Sequence, residues 1–453
     1  MSDRFHDNAP EIVRAVVVDP DIDVHVRAGG ESPPARRYEE SRLEEAVGLA
    51  MALDLEIAGT MSVRVRKLGK TTARVRKINP ATLFGQGKVE EIKQLCEAVE
   101  ATLVIVNGAL TPIQQRNLEK KLEVKVVDRT GLILEIFGRR ARTGEGKLQV
   151  ELARLEYERS RLVRTWTHLE RQRATGTTGG PGETQIELDR RMIADKIKQL
   201  KSELEEVRRT RGLHRNQRKK VPYPIVALVG YTNAGKSTLF NNLTKSEVFA
   251  KDLLFATLDT TLRSLKLPNG RSAILSDTVG FISDLPHELV AAFRATLEEV
   301  EQADLILHVR DVSNPETEAQ KKDVEQVMAH ILPDLDRSRM VEVWNKIDLL
   351  DDETKDVLYA RAVTDRANNK PLMVSAITGE GVAALLNQVA LLVDAEGEEL
   401  DIALEPHQGD LIAFLYQHGR VLGRHEDEEG RVHLRVKLSD QAYGRYEKMT
   451  GRV

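Results

Sequence analysis

The octapeptide Gly-Tyr-Thr-Asn-Ala-Gly-Lys-Ser, residues 230–237, has the residue types and spacing that hold an oligophosphate. Gly230 and Gly235 free the backbone to curl. The N–H groups of the loop that carries Tyr231, Thr232, Asn233 and Ala234 can then close around the α and β phosphates. Lys236 reaches the β and γ oxygens, and Ser237 offers a hydroxyl to Mg²⁺. An apolar run precedes the loop and the helical stretch STLFNNLT follows it, so the N-terminus of that helix also faces the anion.

Three further segments follow in order: Asp277-Thr278-Val279-Gly280, Asn345-Lys346-Ile347-Asp348 and Ser375-Ala376-Ile377. Asp277 suits a water-mediated hold on Mg²⁺, and Gly280 can give its N–H to the γ-phosphate; both contacts vanish on hydrolysis. Asp348 can accept two N–H donors from one edge of guanine. Adenine has no such pair and would leave the carboxylate buried without partners. The backbone of Ser375 and Ala376 can meet the guanine oxygen. The site therefore reads as one for GTP. These four motifs, in this order over about 150 residues, resemble the G domain of the P-loop GTPases.

The first switch of such a domain should lie within Phe255-Ala256-Thr257-Leu258-Asp259 and the two threonines that follow. Thr257, Thr260 and Thr261 are all candidates for sensing Mg²⁺ and the γ-phosphate. Thr257 is preferred, because Thr257-Leu258-Asp259 resembles the Thr-Arg-Asp of the bacterial tRNA-modification GTPases. Ser237 and Thr257 are thus the expected metal ligands.

Phe281 follows Gly280, where many nucleotide hydrolases place a polar side chain that orients water. A phenyl ring cannot orient water or stabilise developing charge, so slow intrinsic turnover is expected, with a partner supplying what is missing. No catalytic residue is assigned. Asn233 has two readings: an ordinary loop amide, or a ligand for K⁺, as in GTPases that combine N-x-G-K-S with an apolar residue after D-x-x-G.

The rest of the chain must position these groups. At 453 residues it is too long for a single core, which stops growing at about 250–300 residues. It is 41% apolar and 30% charged, and no run of some 18 apolar residues crosses a membrane. Peripheral membrane contact is left open. The first residues show no signal peptide, and the one cysteine, Cys96, reads as a buried thiol in a reducing cytoplasm. Four units are expected. Residues 1–140 alternate strands (14–19, 101–108, 124–128) with helices (38–57 and 111–122, Thr111-Pro112 opening the latter), which implies a small parallel α/β domain. Residues 141–220 carry an antiparallel helical hairpin. Its first seam is Leu148, Leu152, Leu155, Arg159, Leu162, Trp166 and Leu169, its second Ile186, Ile193, Ile197, Leu200, Leu204 and Val207. The intervening 174–185 is too Gly-rich for helix. Residues 221–395 form the G domain, and 396–453 a small α+β domain with a helix near 409–418 and a strand at 431–438.

Residues 61–220 hold 36 Lys and Arg against 20 Asp and Glu, on a chain whose net charge is −4. Within it, 63–77 contains seven basic and no acidic residues. Such arrays bind phosphate backbones by counterion release, and the low aromatic content favours structured RNA over single strands.

Outside the G domain, INPATLFGQGKVEEI (78–92), the long segment 111–162, WTHLERQR (166–173) and GGPGETQIELDRR (179–191) resemble the HflX family of ribosome-associated GTPases. The resemblance runs from about 40 to 395 and is loose beyond. It implies a cytoplasmic GTPase, expected to be a monomer, that binds the large ribosomal subunit and its rRNA. Its N-terminal part would approach the peptidyl-transferase region, and in its GTP form it would split stalled or hibernating ribosomes. The alternative is a GTPase of ribosome assembly or of RNA modification or remodelling.

Overall fold

The computed structural model describes residues 13–23, 39–66, 79–172, 181–218, 223–245, 254–255, 260–283, 297, 299–333, 335–336, 339–364, 370–395, 398–405, 407–427, 430–438 and 440–450. The first unit alternates β1 Arg14–Asp23, α1 Glu39–Met51, β2 Glu56–Arg66, α2 Gln86–Ala98, β3 Leu103–Val106, α3 Pro112–Leu122, β4 Lys125–Asp128 and α4 Arg129–Arg140. Its strands lie in the order β2-β1-β3-β4, all parallel. Ala15, Val16, Val17 and Val18 of β1 are fully buried. A strand covered on both faces reads as a continuous apolar run, which is why it was legible. Thr111 caps α3 with a reciprocal bond to Gln114, as its Thr-Pro start suggested. Cys96 is buried in α2, and burial pushes its thiol up to about 11.

Two expectations fail here. The helix expected over 38–57 ends at Met51: the chain turns through Asp54 at φ 58°, and Glu56 opens β2. Ala and Leu run on past Met51, but pairing beside β1 outweighs that weak propensity. The non-helical segment expected over 174–185 is also too long, because a helix starts at Pro181. Proline is favoured in a first turn, where its missing N–H is not needed and its φ is already helical.

The hairpin is α5 Gly144–Gln172 and α6 Pro181–Arg218. Leu152, Ile197, Leu200 and Leu204 are buried in its seam, with Leu148, Leu155 and Ile193 half-buried beside them. The side chains of Leu162, Trp166, Leu169 and Ile186 lie outside the described residues, as do 173–180 at the tip. Most of the basic stretch 63–77 also lies outside; in its described part Val63 and Val65 are buried and Arg64 is exposed, as strand alternation requires.

The nucleotide-binding unit runs β5 Ile225–Gly230, α7 Lys236–Thr244, β6 Thr261–Lys266, β7 Ser272–Asp277, β8 Leu305–Asp311, α8 Thr317–Ile331, β9 Met340–Asn345, α9 Asp352–Thr364, β10 Leu372–Met373 and α10 Val382–Ala395. Its sheet has the order β10-β9-β8-β5-β7-β6, parallel except for β6. The last unit packs α11 Gly409–His418 and α12 Asp440–Thr450 on an antiparallel sheet of β11 Glu398–Leu404, β13 Val432–Leu438 and β12 Gly419–Glu426. No helix among the described residues is long and apolar enough to cross a membrane.

One apolar cluster is shared by the first and third units. It joins Ala15, Val17, Leu49, Ile133 and Phe137 to Val229, Tyr231, Phe255, Phe281 and Ile282. Phe137 and Phe255 meet edge-to-face with centroids 4.8 Å apart. So apolar a junction packs like a core, and it contains residues of both expected switch segments.

Candidate nucleotide site

Strand β5 delivers the chain to a tight loop, and close backbone approach fixes both of its glycines. A Cβ on Gly230 (φ 152°) would lie 2.1 Å from the Val309 carbonyl oxygen; one on Gly235 (φ 89°) would lie 2.2 Å from Asn345 Nδ2. Asn233 also takes a left-handed conformation, φ 60°. Lys236 is buried, and its Nζ donates to the carbonyls of Gly230 (3.1 Å) and Tyr231 (2.7 Å). Burial lowers its pKa to about 8, while Asp277 pulls it back up. A buried ammonium in that condition is poised for an anion.

Ser237 Oγ donates to Asp277 Oδ2 at 2.8 Å. A hydroxyl at the start of α7 beside a carboxylate at the end of β7 is a pair of hard oxygen groups whose chemistry would suit Mg²⁺. Thr257, the second expected metal ligand, lies outside the described residues, as do Ala256, Leu258 and Asp259.

The segments expected to recognise the base converge on the same loop. Asn345 is the tie: its Nδ2 donates to the Ala234 carbonyl (2.8 Å), and its Oδ1 accepts from the Ala376 N–H (3.0 Å). The Ala376 carbonyl in turn accepts from Asn242 Nδ2 of α7 at 3.1 Å. Lys346, φ 67°, pairs with Asp311 at 2.8 Å. Asp348 Oδ1 is buried and has no hydrogen-bond partner among the described residues. An orphaned carboxylate oxygen in a site already tied together is what the guanine N–H donors would satisfy. Ser375 is buried and Ile347 lies in the core, whereas Ile377 is 76% exposed at the rim.

The segment after Asp277 folds back over the phosphate loop. Thr232 N–H donates to the Phe281 carbonyl (2.7 Å), and Phe281 N–H donates to the Gly230 carbonyl (3.1 Å). A Cβ on Gly280 would meet Thr232 Cγ2 at 2.8 Å and Lys236 Nζ at 3.1 Å, so only glycine fits against Lys236. Thr278 spends its hydroxyl on the Leu228 carbonyl at 2.6 Å, and Val279 is core. Phe281, 2% exposed, belongs to the apolar cluster shared with the first unit and faces away from water. Thr232 Oγ1 is buried without a partner among the described residues.

Three residues around this segment escaped sequence reasoning. Glu45 of α1, Arg129 of α4 and Ser283 bond one another although 238 positions separate the first from the last. No motif or periodicity marks such a contact.

Family models match in order along the chain: "GTP-binding GTPase N-terminal" over 40–138, "GTP-binding GTPase Middle Region" over 140–218, "50S ribosome-binding GTPase" over 225–346 and "HflX C-terminal domain" over 360–453. The GTPase HflX of Magnetococcus marinus is 49% identical over 406 residues, covering 89% of each chain. The chain belongs to the HflX family of GTPases. The Escherichia coli GTPase HflX is 44% identical over 383 residues, covering 83% of this chain and 87% of its own. As in that family, this chain binds GTP and hydrolyses it. Among solved structures, a GTP-binding protein from Sulfolobus solfataricus in complex with GDP is similar at 21% identity and a TM-score of 0.44, covering 84% of this chain and 99% of that one.

Proposed function

We propose that the chain is a GTP-dependent ligand of the large ribosomal subunit that separates stalled or hibernating ribosomes. The observation that carries this reading is the packing of the Gly280–Ser283 segment between the phosphate loop and the unit that roots the hairpin. The presence of a γ-phosphate at Gly280 then bears directly on the part of the molecule richest in Lys and Arg. The description "50S ribosome-binding GTPase" attached to the model matching 225–346 points the same way. The basic residues would grip rRNA through its phosphates, and the Gly-rich tip is small enough to approach RNA backbone.

In the site, the phosphate loop from Gly230 to Ser237 holds the α and β phosphates and Lys236 the β and γ oxygens. Asp348 selects guanine, and Asn345 fixes the loop that carries Ser375, Ala376 and Ile377 against it. Mg²⁺, held by Ser237 and Thr257 with Asp277 behind a water, would neutralise charge on the β and γ phosphates. Phe281 is anchored in the core and brings no polar group to the attacking water. Hydrolysis by the chain alone is therefore slow, and the ribosome accelerates it by supplying positioning or charge. K⁺ at Asn233 is a second source of such charge.

The test is light scattering of 70S ribosomes mixed with the protein and GTP, GDP or a non-hydrolysable analogue. Loss of scattering with GTP and the analogue, but not with GDP, is expected. Unchanged 70S particles, together with binding to immature large subunits only, would favour a role in ribosome assembly.

A further inference from the structure

We propose that Glu45 and Arg129 form a socket that positions the segment after Gly280. Through the peptide Asp128–Arg129, terminal-phosphate recognition and the seating of the helical hairpin become mutually dependent. Arg129 opens α4 and is 6% exposed. Its Nη2 donates to Glu45 Oε1 at 2.5 Å and to both the carbonyl and the hydroxyl of Ser283 at 3.1 Å. Its Nη1 donates to Asn107 Oδ1 at the carboxyl end of β3. Glu45 Oε1 also accepts from the Ser283 hydroxyl at 3.1 Å, and Glu45 Oε2 accepts from the Tyr231 hydroxyl. That hydroxyl in turn accepts the Ser283 N–H at 2.9 Å. Both backbone groups and the hydroxyl of Ser283 are thus engaged by two side chains of the first unit and by the phosphate-loop tyrosine.

The crevice involved lies at the carboxyl ends of β1, β3 and β4, where the strand order turns, the place at which open α/β sheets hold ligands. Here it holds part of the same chain. Buried charged partners of this kind give way together, because separating one leaves the other unpaired in a low-dielectric setting.

The preceding residue faces the hairpin. Asp128, 2% exposed, accepts from the Tyr157 hydroxyl (2.6 Å) and from Arg161 Nη2 (2.7 Å), both on α5. It also accepts the N–H groups of Leu110 (3.2 Å) and Gly131 (2.9 Å). Consecutive residues therefore hold two different elements, one carrying the γ-phosphate sensor and the other the root of the hairpin. Ser283 is three residues beyond Gly280, so a shift of Gly280 toward a γ-phosphate pulls on Arg129 and the start of α4, and with it on Asp128. Coupling of this sort is reciprocal. The proposal rests on the reading of Gly280 as the γ-phosphate contact.

The experiment uses the full chain with Ser283→Ala, Tyr157→Phe and the double variant. Fluorescent nucleotide titrations give the ratio of GDP to GTP-analogue dissociation constants, and hydrogen exchange follows amides 148–161 of α5 in each nucleotide state. Each single variant is expected to shift the ratio at least about fivefold and to reduce the nucleotide-dependent difference in α5 exchange. The double variant should shift the ratio no further than one single change, the mark of one connected path. Tyr157→Phe that lowers melting temperature but leaves the ratio unmoved would overturn the proposal. So would identical α5 exchange of the unmutated protein in GDP and analogue, a readout that needs no variant to fold. Preference for GDP over ADP in every variant keeps the pocket assignment separate: if it persists while the ratio stays flat, the coupling alone has failed.

Discussion

Asp348→Asn should exchange guanine for xanthine. In the structure Asp348 Oδ1 is buried with no partner among the described residues, and Asn345 holds the adjoining loops in place, so the base must come to the carboxylate. Hydrogen bonds to a charged acceptor contribute about 1.5–3 kcal/mol each, so two of them from guanine supply about 3–6 kcal/mol. The asparagine amide can accept one guanine N–H as a neutral bond of about 1 kcal/mol, and its NH₂ then faces a second N–H. The net loss is about 2–5 kcal/mol, or roughly 30-fold to 4,000-fold in GDP affinity. Xanthine carries an oxygen where guanine carries that amino group, so the same NH₂ finds an acceptor and XDP should bind better than GDP. Competition titrations of GDP, XDP and ADP against a fluorescent nucleotide measure all three. GDP affinity within about threefold of the unmutated chain, with no gain for XDP, would refute the placement of the base on Asp348.

Further outcomes follow from the same geometry. Lys236 is held near pH 8 by burial, below its ordinary value of 10.5, so the ligand-free fold binds fewer protons than the unfolded chain between those values. Its stability should therefore rise with pH across that window, and phosphate binding at pH 8.5 should take up most of one proton, visible as buffer-dependent binding enthalpy. Equal enthalpies in buffers of different ionisation heat would contradict this. Gly235→Ala puts a methyl 2.2 Å from Asn345 Nδ2 at φ 89°, and should abolish nucleotide binding in equilibrium dialysis; retained affinity would show that the loop has another shape. Leu200→Ala, at the buried centre of the hairpin seam, should cost about 2–5 kcal/mol in denaturant unfolding of the hairpin while leaving GDP affinity unchanged. Turnover measured in K⁺ and in Na⁺ decides Asn233: a K⁺-specific rise is the mark of a ligand, and equal rates leave it a loop amide.

The candidate nucleotide site was legible as a set of segments because its chemistry is local. The residues from Gly230 to Ser237 are contiguous, and each later motif sits at a strand end that its own apolar run announces. The parallel β1 and the capped α3 were legible for the same reason. What could not be read is mostly non-local. The end of the first helix depended on strand pairing beside β1, whereas the start of the second hairpin helix turned on a local signal, Pro181, that competed with the glycines around it. The sheet of the last unit was only partly visible, since β12 carries Gly419, Gly423 and scattered charges where alternation would be expected. Phe281 looked like a missing catalytic group, yet it is a buried anchor in a cluster contributed by two units. The Glu45–Arg129–Ser283 contact joins residues far apart in the chain, and nothing in any one of them signals the others.

On the function proposed above, the γ-phosphate of GTP controls the grip on the large ribosomal subunit. Sedimentation of the chain with purified 50S particles, loaded in turn with a GTP analogue, with GDP and with nothing, tests it most directly. Tight co-sedimentation with the analogue and weak co-sedimentation in the other two states is predicted. Equal binding in all three would contradict it.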